Sequence, residues 1–503
     1  MIRPLVRAGL ALLCFLPTFP GLAAESPAPA VALSDPEQPL DLSGLVTLQS
    51  CVALALGRNF TVRIQHFSVY EAVDSVVVQQ AAFEPTFGFN AAKQVSQQAT
   101  NEIAFSYPYT SYETAAFALN DTIITGGTLS VNYSLVRSDT SPAYILPNPA
   151  FGSAVSISVA QPLLQGAGTD YNRAAIESAK LGVRISNLNF KSTVLTMVYN
   201  VEVTYYNLLY QREQYKVQED ELKQAQQLLY ENMIRRQAGA LTDVDVMNAR
   251  AGVAAAQNLL ILDKQAVQNS EDSLRQLLGD REFKSAVGEI EFPPVGEPEV
   301  SFDRSYKLAR ENGPNLAVAQ ATIDQFKLAA LKAKRNTLPE LNVTGGLGYN
   351  SYAATAGQSV TGAWSGYNWN AGVTLSIPWG MRANRALYHQ ALSQERSQEV
   401  AYDQADQNLM ISVRSAVRGV ATNIESLHSS AENTKFAAKA YELTKAQFDA
   451  GLATSYLVLQ AQNTLATARL SELQAKVNLL LAVANLRFLE GSSLQLYRIN
   501  LPD

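Results

Sequence analysis

The chain has 503 residues, 47% of them hydrophobic, and a formal net charge of −6. That is ample apolar content for a large core, and a mildly acidic chain without a basic stripe argues against nucleic acid as a partner. Two cysteines, Cys14 and Cys51, supply no disulfide framework.

Residues 1–24 read as a signal peptide. Arg3 and Arg7 precede an apolar run (AGLALLCFL) and then small residues (PGLAAES), with cleavage expected after Ala23 or Ala24. Cys14 lies in that run behind Leu13, which is larger than the residue usual before a lipidated cysteine. The exported chain keeps Cys51 alone and must be stabilised by burial and assembly. Residues 25–45, with Pro27, Pro29, Pro36 and Pro39, read as a mobile leader. Beyond it, the strongest apolar stretch (LLLAVANLRFL, 479–489) is too short to span a bilayer as a helix. The mature chain is either soluble or crosses a membrane by strands.

The chain is duplicated. VTLQSCVALALGRNFTV (46–62) aligns with VSFDRSYKLARENGPNL (300–316) at an offset of 254, and at that offset Pro85 meets Pro339. Later the offset is 212: Asn172-Arg173-Ala174 meets Asn384-Arg385-Ala386, Gly239 meets Gly451, and LRQLLG (274–279) meets LRFLEG (486–491). The expected organisation is a first repeat over 46–291, a Pro-rich joint over 292–299, a second repeat over 300–491 and a tail over 492–503.

Each repeat reads as helix, strands, long helix, turn, return helix. No proline occurs from 163 to 292 or from 379 to 501, as uninterrupted helices require. Apolar residues recur at helical spacing (Val194, Val198, Val201, Tyr205, Leu208), and Val253, Leu260, Val267 and Leu274 form a heptad column. Helices are expected over 47–82, 170–237, 242–278, 301–337 and 454–490. The 170–237 helix would be about 100 Å long and the shorter ones about 55 Å, so two short helices match one long one in a rod.

Strands are expected in TFGFNAAKQVS, TLSVNYSLV and SAVSISVAQ of the first repeat, and in ELNVTGGLGYN and YNWNAGVTLSI of the second. Trp364, Trp369 and Trp379 all fall near the last hairpin, as an interfacial girdle or as aromatics of an ordinary packed sheet. Two hairpins give four strands, too few to close a barrel, so three chains would supply twelve. The segment FALNDTIITGGTLSVNYSL (117–135) adds two more strands or forms a side element.

Taken in order, these features resemble the TolC family of outer-membrane factors over nearly the whole mature chain. The carrying residues are the duplicated openings, the strand entries at Pro85 and Pro339, and the strand exits VAQPLLQGAG and LSIPWGMRANRA. The turns QAGALTDVDVMNAR and DAGLATSYLVLQAQ complete the set. The resemblance implies an α+β membrane protein: internally duplicated long helical hairpins forming a periplasmic α-barrel, with β-hairpins contributing to a trimeric outer-membrane β-barrel. It implies a homotrimer in outer-membrane lipid, a periplasmic adaptor (membrane fusion) protein, and an inner-membrane efflux pump or ABC transporter as partners. No cofactor or metal is implied.

The resemblance places Gly239, Leu241, Thr242, Gly451, Leu452 and Thr454 at the periplasmic tip facing the adaptor. Glycine suits the end of one helix and threonine the cap of the next, chemistry that any helical hairpin could use. Asp245 stands where many members carry an acid at the entrance. Gln460 and Leu457 stand where acids are frequent in the second turn, so Tyr456 and Leu457 either form an apolar constriction or pack between helices. Pro85, Pro162, Arg173, Pro339, Pro378 and Arg385 mark the junction of strands and helices. His66, His389 and His428 are far apart and no phosphate loop is present, which speaks against an enzyme. A coiled-coil envelope protein or adhesin without transport activity, and a passive porin, are the rival readings.

Overall fold

The computed structural model describes residues 42, 44–97, 109–141, 147–283, 287–294, 296, 298–362 and 366–499. The expected signal peptide, most of the expected leader, and Trp364 lie outside the described residues. The described residues divide into two compact units, one holding 71–183 and 321–399, the other the described residues of 28–70, 184–320 and 400–503. Each draws on both halves of the duplication.

The first unit contains one antiparallel sheet of six strands in sequence order: β1 (Thr86–Gln97), β2 (Tyr109–Thr122), β3 (Thr128–Ser141), β4 (Ala150–Pro162), β5 (Glu340–Ala353) and β6 (Gly366–Ser376). Of the two expectations for the 117–135 segment, the first holds: it pairs into the sheet, which has six strands among the described residues. The whole of β1 lies opposite β2, from Thr86↔Asn120 to Gln97↔Tyr109.

Residues in register across the strands show why. One row runs Phe87, Leu119, Val131, Ile157, Leu347, Trp369, and is apolar on all six strands. The next row runs Gly88, Ala118, Asn132, Ser156, Gly348, Asn368, all small or polar. The third, Phe89, Phe117, Tyr133, Val155, Tyr349, Tyr367, is apolar or aromatic again. Successive rows point to opposite faces, so over these rows one face is apolar and the other small and polar; further along, the apolar face gives way to the ion-paired row Lys93, Glu113 and Arg137. This face is open at the outer strands, where Phe87 is 66%, Trp369 71% and Val373 70% exposed, while further along it Leu135, Ser153 and Ser351 are buried and the Ser153 hydroxyl donates to the Ser359 carbonyl. An ordinary packed sheet would cover it; lipid is the medium that suits it.

The helices are α1 (Leu48–Arg58), α2 (Phe60–Gln80), α3 (Thr169–Gln237), α4 (Asp243–Leu277), α5 (Phe302–Asn312), α6 (Pro314–Arg335), α7 (Ala356–Thr361), α8 (Arg382–Asp449), α9 (Ser455–Glu490) and α10 (Ser493–Leu496). With 69 and 68 residues, α3 and α8 are each about 100 Å long. Among the described residues no helix is long and apolar enough to cross a membrane.

The opening helices, expected to be continuous, are broken at equivalent places. Asn59 turns extended (φ −61°, ψ 133°), its Oδ1 accepting the Thr61 N–H at 2.8 Å and its Nδ2 donating to the Leu277 carbonyl at 2.9 Å. Its counterpart Gly313 is extended because Pro314 follows. Each return helix ends against its own repeat's break. A Cβ on Gly279 would lie 2.9 Å from the Arg58 carbonyl oxygen, and one on Gly491 3.0 Å from the Asn312 Cβ.

The core of the second unit follows the helical period: Val194, Val198, Val201, Tyr205 and Leu208 are all buried. In α4 the expected column of Val253, Leu260, Val267 and Leu274 is one of two. The other holds Ala249, Ala256 and Asp263, all buried, with the Asp263 Oδ1 accepting from Gln214 Nε2 at 2.8 Å.

Glu202 is fully buried; the Tyr497 hydroxyl donates to its Oε1 at 2.6 Å, and Oε2 has no partner among the described residues. Burial pushes its carboxyl above the ordinary 4.5, against the opposing pull of the Tyr497 hydrogen bond and the Arg487 charge. The native chain therefore holds this proton more tightly than the unfolded chain. The resulting stability is fully present below pH 4.5 and is lost as pH rises through the higher folded value. Glu202→Gln, which removes the titrating group, is expected to lose less stability than wild type as pH rises from acid to neutral. Urea melts of the two chains should converge in acid; a constant difference across pH would show that Glu202 does not titrate with folding.

Candidate functional site

The two duplicated turns close the long helices in the same way. At the end of α3, Gly239 takes φ +77°, its N–H donates to the Arg236 carbonyl at 2.9 Å, and the Ala240 N–H reaches the Arg235 carbonyl at 2.8 Å. At the end of α8, Gly451 takes φ +75°, its N–H donates to Phe448 at 3.0 Å, and the Leu452 N–H reaches Gln447 at 2.8 Å. Both are Schellman turns, which need a left-handed residue at the glycine position.

The next helices start differently. Thr242 caps α4 in a capping box: its Oγ1 accepts the Asp245 N–H at 3.4 Å, and its own N–H donates to Asp245 Oδ2 at 3.1 Å. Thr454 precedes α9 without a side-chain cap bond, and the residue three positions on is Leu457, which cannot reciprocate. Asp245 is thus held in the cap of its own helix, half-buried.

Tyr456 (58% exposed), Leu457 (46%) and Gln460 line one outer face of α9, whereas Ser455, Val458 and Gln462 are buried on the other. Tyr456 and Leu457 thus stand about half exposed within one chain. Leu452 is 81% exposed at the apex of the second turn, while Leu241 packs onto the cluster of Leu228, Phe448 and Val458.

Two residues not singled out in the sequence tie the turns together. Arg235 donates to the Phe448 carbonyl at 2.8 Å and to Asp449 Oδ1 at 2.9 Å, and its guanidinium stands 4.2 Å from the Phe448 ring centre. Asn232, fully buried, donates to Ser455 Oγ at 2.6 Å and to the Asp245 carbonyl at 3.3 Å. Asn232 had a sequence signal: it is polar on the buried stripe of Ala225 and Leu228.

At the strand–helix junction, Pro85 and Pro339 directly precede β1 and β5, Pro162 ends β4, and Pro378 follows β6. The polar contacts there come from asparagines beside the expected arginines. Asn172 Nδ2 donates to the Gly166 and Gly168 carbonyls, each at 2.9 Å, and Asn384 Nδ2 donates to the Asn336 carbonyl at 2.8 Å. Arg173 pairs loosely with Glu177 at 3.6 Å; Arg385 lies in the first turn of α8. Trp369 sits on the apolar face of β6 and Trp379, fully exposed, in the link to α8.

Among the described residues no group of three or more His, Cys, Asp or Glu is placed to hold a metal. Among the described residues the site is one of surfaces: an apolar sheet face exposed at its outer strands, two unpaired sheet edges, and a pair of exposed turns.

Comparison with known proteins agrees with this geometry. The profile of a family described as outer membrane efflux protein matches residues 51–280 and 305–492. The chain is similar to the outer membrane protein TolC of Vibrio cholerae, at 24% identity over 370 residues, 71% of this chain and 80% of that protein. It is similar to the pyoverdine export outer membrane protein OpmQ of Pseudomonas putida, at 27% over 320 residues, 61% and 66% of the two chains. Among solved structures it shares its fold with CusC at a TM-score of 0.70 and 14% identity, over 90% of this chain and 93% of that one.

Proposed function

The chain belongs to the outer membrane efflux protein family, and on that premise we propose that three copies close one outer-membrane barrel as the exit duct of a tripartite efflux or type I secretion system. The helical hairpins continue the duct into the periplasm. There the tip around Gly239–Thr242 and Gly451–Thr454 meets a periplasmic adaptor protein, and an inner-membrane efflux pump or ABC transporter delivers the cargo.

The observation that carries this reading is the sheet. Six strands are fewer than the roughly eight that a closed barrel needs, and among the described residues both edge strands, β1 and β6, are free on one side. Six is an even number, so β1 and β6 run in opposite directions, and head-to-tail copies pair antiparallel around a closed ring. The apolar rows of β1 and β6 then join into one continuous belt.

The protein in mild detergent is expected to run as a trimer from the outer-membrane fraction and to conduct in planar bilayers. A monodisperse soluble monomer would sink the proposal, and a trimer that never conducts would favour the adhesin reading. Passive diffusion through a porin leaves the long helical hairpins without a use.

Three copies of Asp245 near a narrow entrance concentrate cations there. Asp245→Asn keeps a side-chain oxygen able to accept the Thr242 N–H in the capping box and is expected to lower cation preference in planar bilayers. Gln460→Asp, on the exposed face of α9, is expected to raise it. Unchanged selectivity in both variants would place neither residue at the lumen.

A further inference from the structure

Among the described residues the hairpin of β2 and β3 has no counterpart in the second repeat, which gives the sheet β5 and β6. Such an insertion could stand off the barrel or be built into it, and three observations bear on the choice. Both strands have 14 residues, more than the 9–11 that a tilted strand needs to cross a bilayer. Leu119, Phe117, Val131 and Tyr133 extend the apolar rows of the neighbouring strands without a break. A strand standing in water has no use for that code.

The third observation is the seat of the turn at the helical end. The Gly168 N–H donates to the Thr125 carbonyl at 3.1 Å, and Thr125 Oγ1 lies 3.0 Å from Gln161 Oε1 on β4. Gly126 (φ +91°) fits so closely that a Cβ there would lie 2.7 Å from Asn172 Nδ2, the side chain that organises the start of α3.

We propose that this hairpin is barrel wall, so that the ring of three copies closes eighteen strands rather than twelve, around an exit about half as wide again at equal strand tilt. The proposal rests on the three-copy barrel of the preceding subsection. With a wall of that circumference the outer-membrane segment does not limit cargo size, and restriction falls to the helical tip.

Single cysteines test the wall. Val131→Cys and Asn132→Cys probe the two faces of β3, with Trp369→Cys and Asn368→Cys as the matching pair on β6. Native Cys51 is fully buried and its thiol is pushed up to about 12 by burial, so it stays silent. In outer-membrane vesicles a charged, water-soluble maleimide is expected to label the Asn-site variants at least about tenfold faster than their apolar-face partners, because only the polar face meets the aqueous lumen. If the β3 pair labels equally fast while the β6 pair alternates, the hairpin is outside the wall and the barrel reading stands. If neither pair alternates, the barrel reading itself fails, and this proposal with it.

Width is read separately, by electron cryo-microscopy of the intact trimer viewed end-on. Eighteen strands in the ring are expected, and twelve overturn the proposal. A chain lacking Tyr109–Ser141 provides a second reading. Phe87 lies level with Ile157 through Leu119 and Val131, so β1 and β4 can pair directly with their faces matched. Its ring is expected to be narrower by about a third; an unchanged diameter would overturn the width.

Discussion

Gly451→Trp is expected to abolish export while the trimer still assembles, inserts and conducts. The glycine holds φ +75°, where an L-residue costs roughly 1–2 kcal/mol, and a Cβ there meets nothing within 4 Å. The indole therefore has room, and the local strain is small beside the burial of helices about 100 Å long. What changes is the surface beside Leu452, the most exposed apolar side chain of either turn. Export and crosslinking to the adaptor should fall together by at least about tenfold, the effect of losing roughly 1.4 kcal/mol of binding. Wild-type crosslinking would move docking to the helix flanks. Failure to reach the outer membrane would make the turn a folding element.

The second large effect is on stability and comes from the other pair of glycines. Gly279→Ala is expected to cost about 3 kcal/mol or more, against about 1 kcal/mol for Gly239→Ala. Both residues end a helix in the same left-handed conformation, at φ +71° and +77°. Around Gly239 there is open space, so only backbone strain is added. At Gly279 the new methyl would lie 2.9 Å from the Arg58 carbonyl oxygen and 3.1 Å from its carbon, and backbone atoms cannot swing aside as a side-chain tip can. Urea midpoints of the two variants give the comparison. Equal losses would mean that the α1–α2 break yields freely and that Gly279 is needed for its backbone angle alone.

Much of this arrangement is legible in the sequence because repetition and period are local properties. The offsets of 254 and 212 locate both turns, and the Val194-to-Leu208 stripe marks the buried face of α3. The breaks at Asn59 and Gly313 escape such a reading, since apolar spacing continues through them. Pro314 is tolerated as the first residue of a helix, so it marks a boundary as readily as a fault.

The status of 117–135 needed pairing partners. Alternation makes a strand plausible, but only register with β1 and β4 shows that its apolar residues join rows already present. Side-chain pairings were hardest to foresee. Arg235 reaches Phe448 and Asp449, and Asn232 reaches Ser455, each more than 200 positions away, and at the junction Asn172 and Asn384, not the neighbouring arginines, hold the backbone. In the same way Thr454 looks like a cap until Leu457 is recognised as the counterpart of Asp245.

The twin turns also bear on symmetry. Each chain shows the same backbone motif twice, at Gly239 and Gly451, so a ring of three copies carries six of them in alternation. To a partner that recognises only main-chain shape the ring is quasi-sixfold. To one that reads side chains it is threefold, because one class of turn has the Asp245 carboxylate where the other has Leu457. For the proposed complex with an adaptor, native mass spectrometry would tell these apart: shape recognition would seat two adaptor chains for every duct chain and side-chain recognition one.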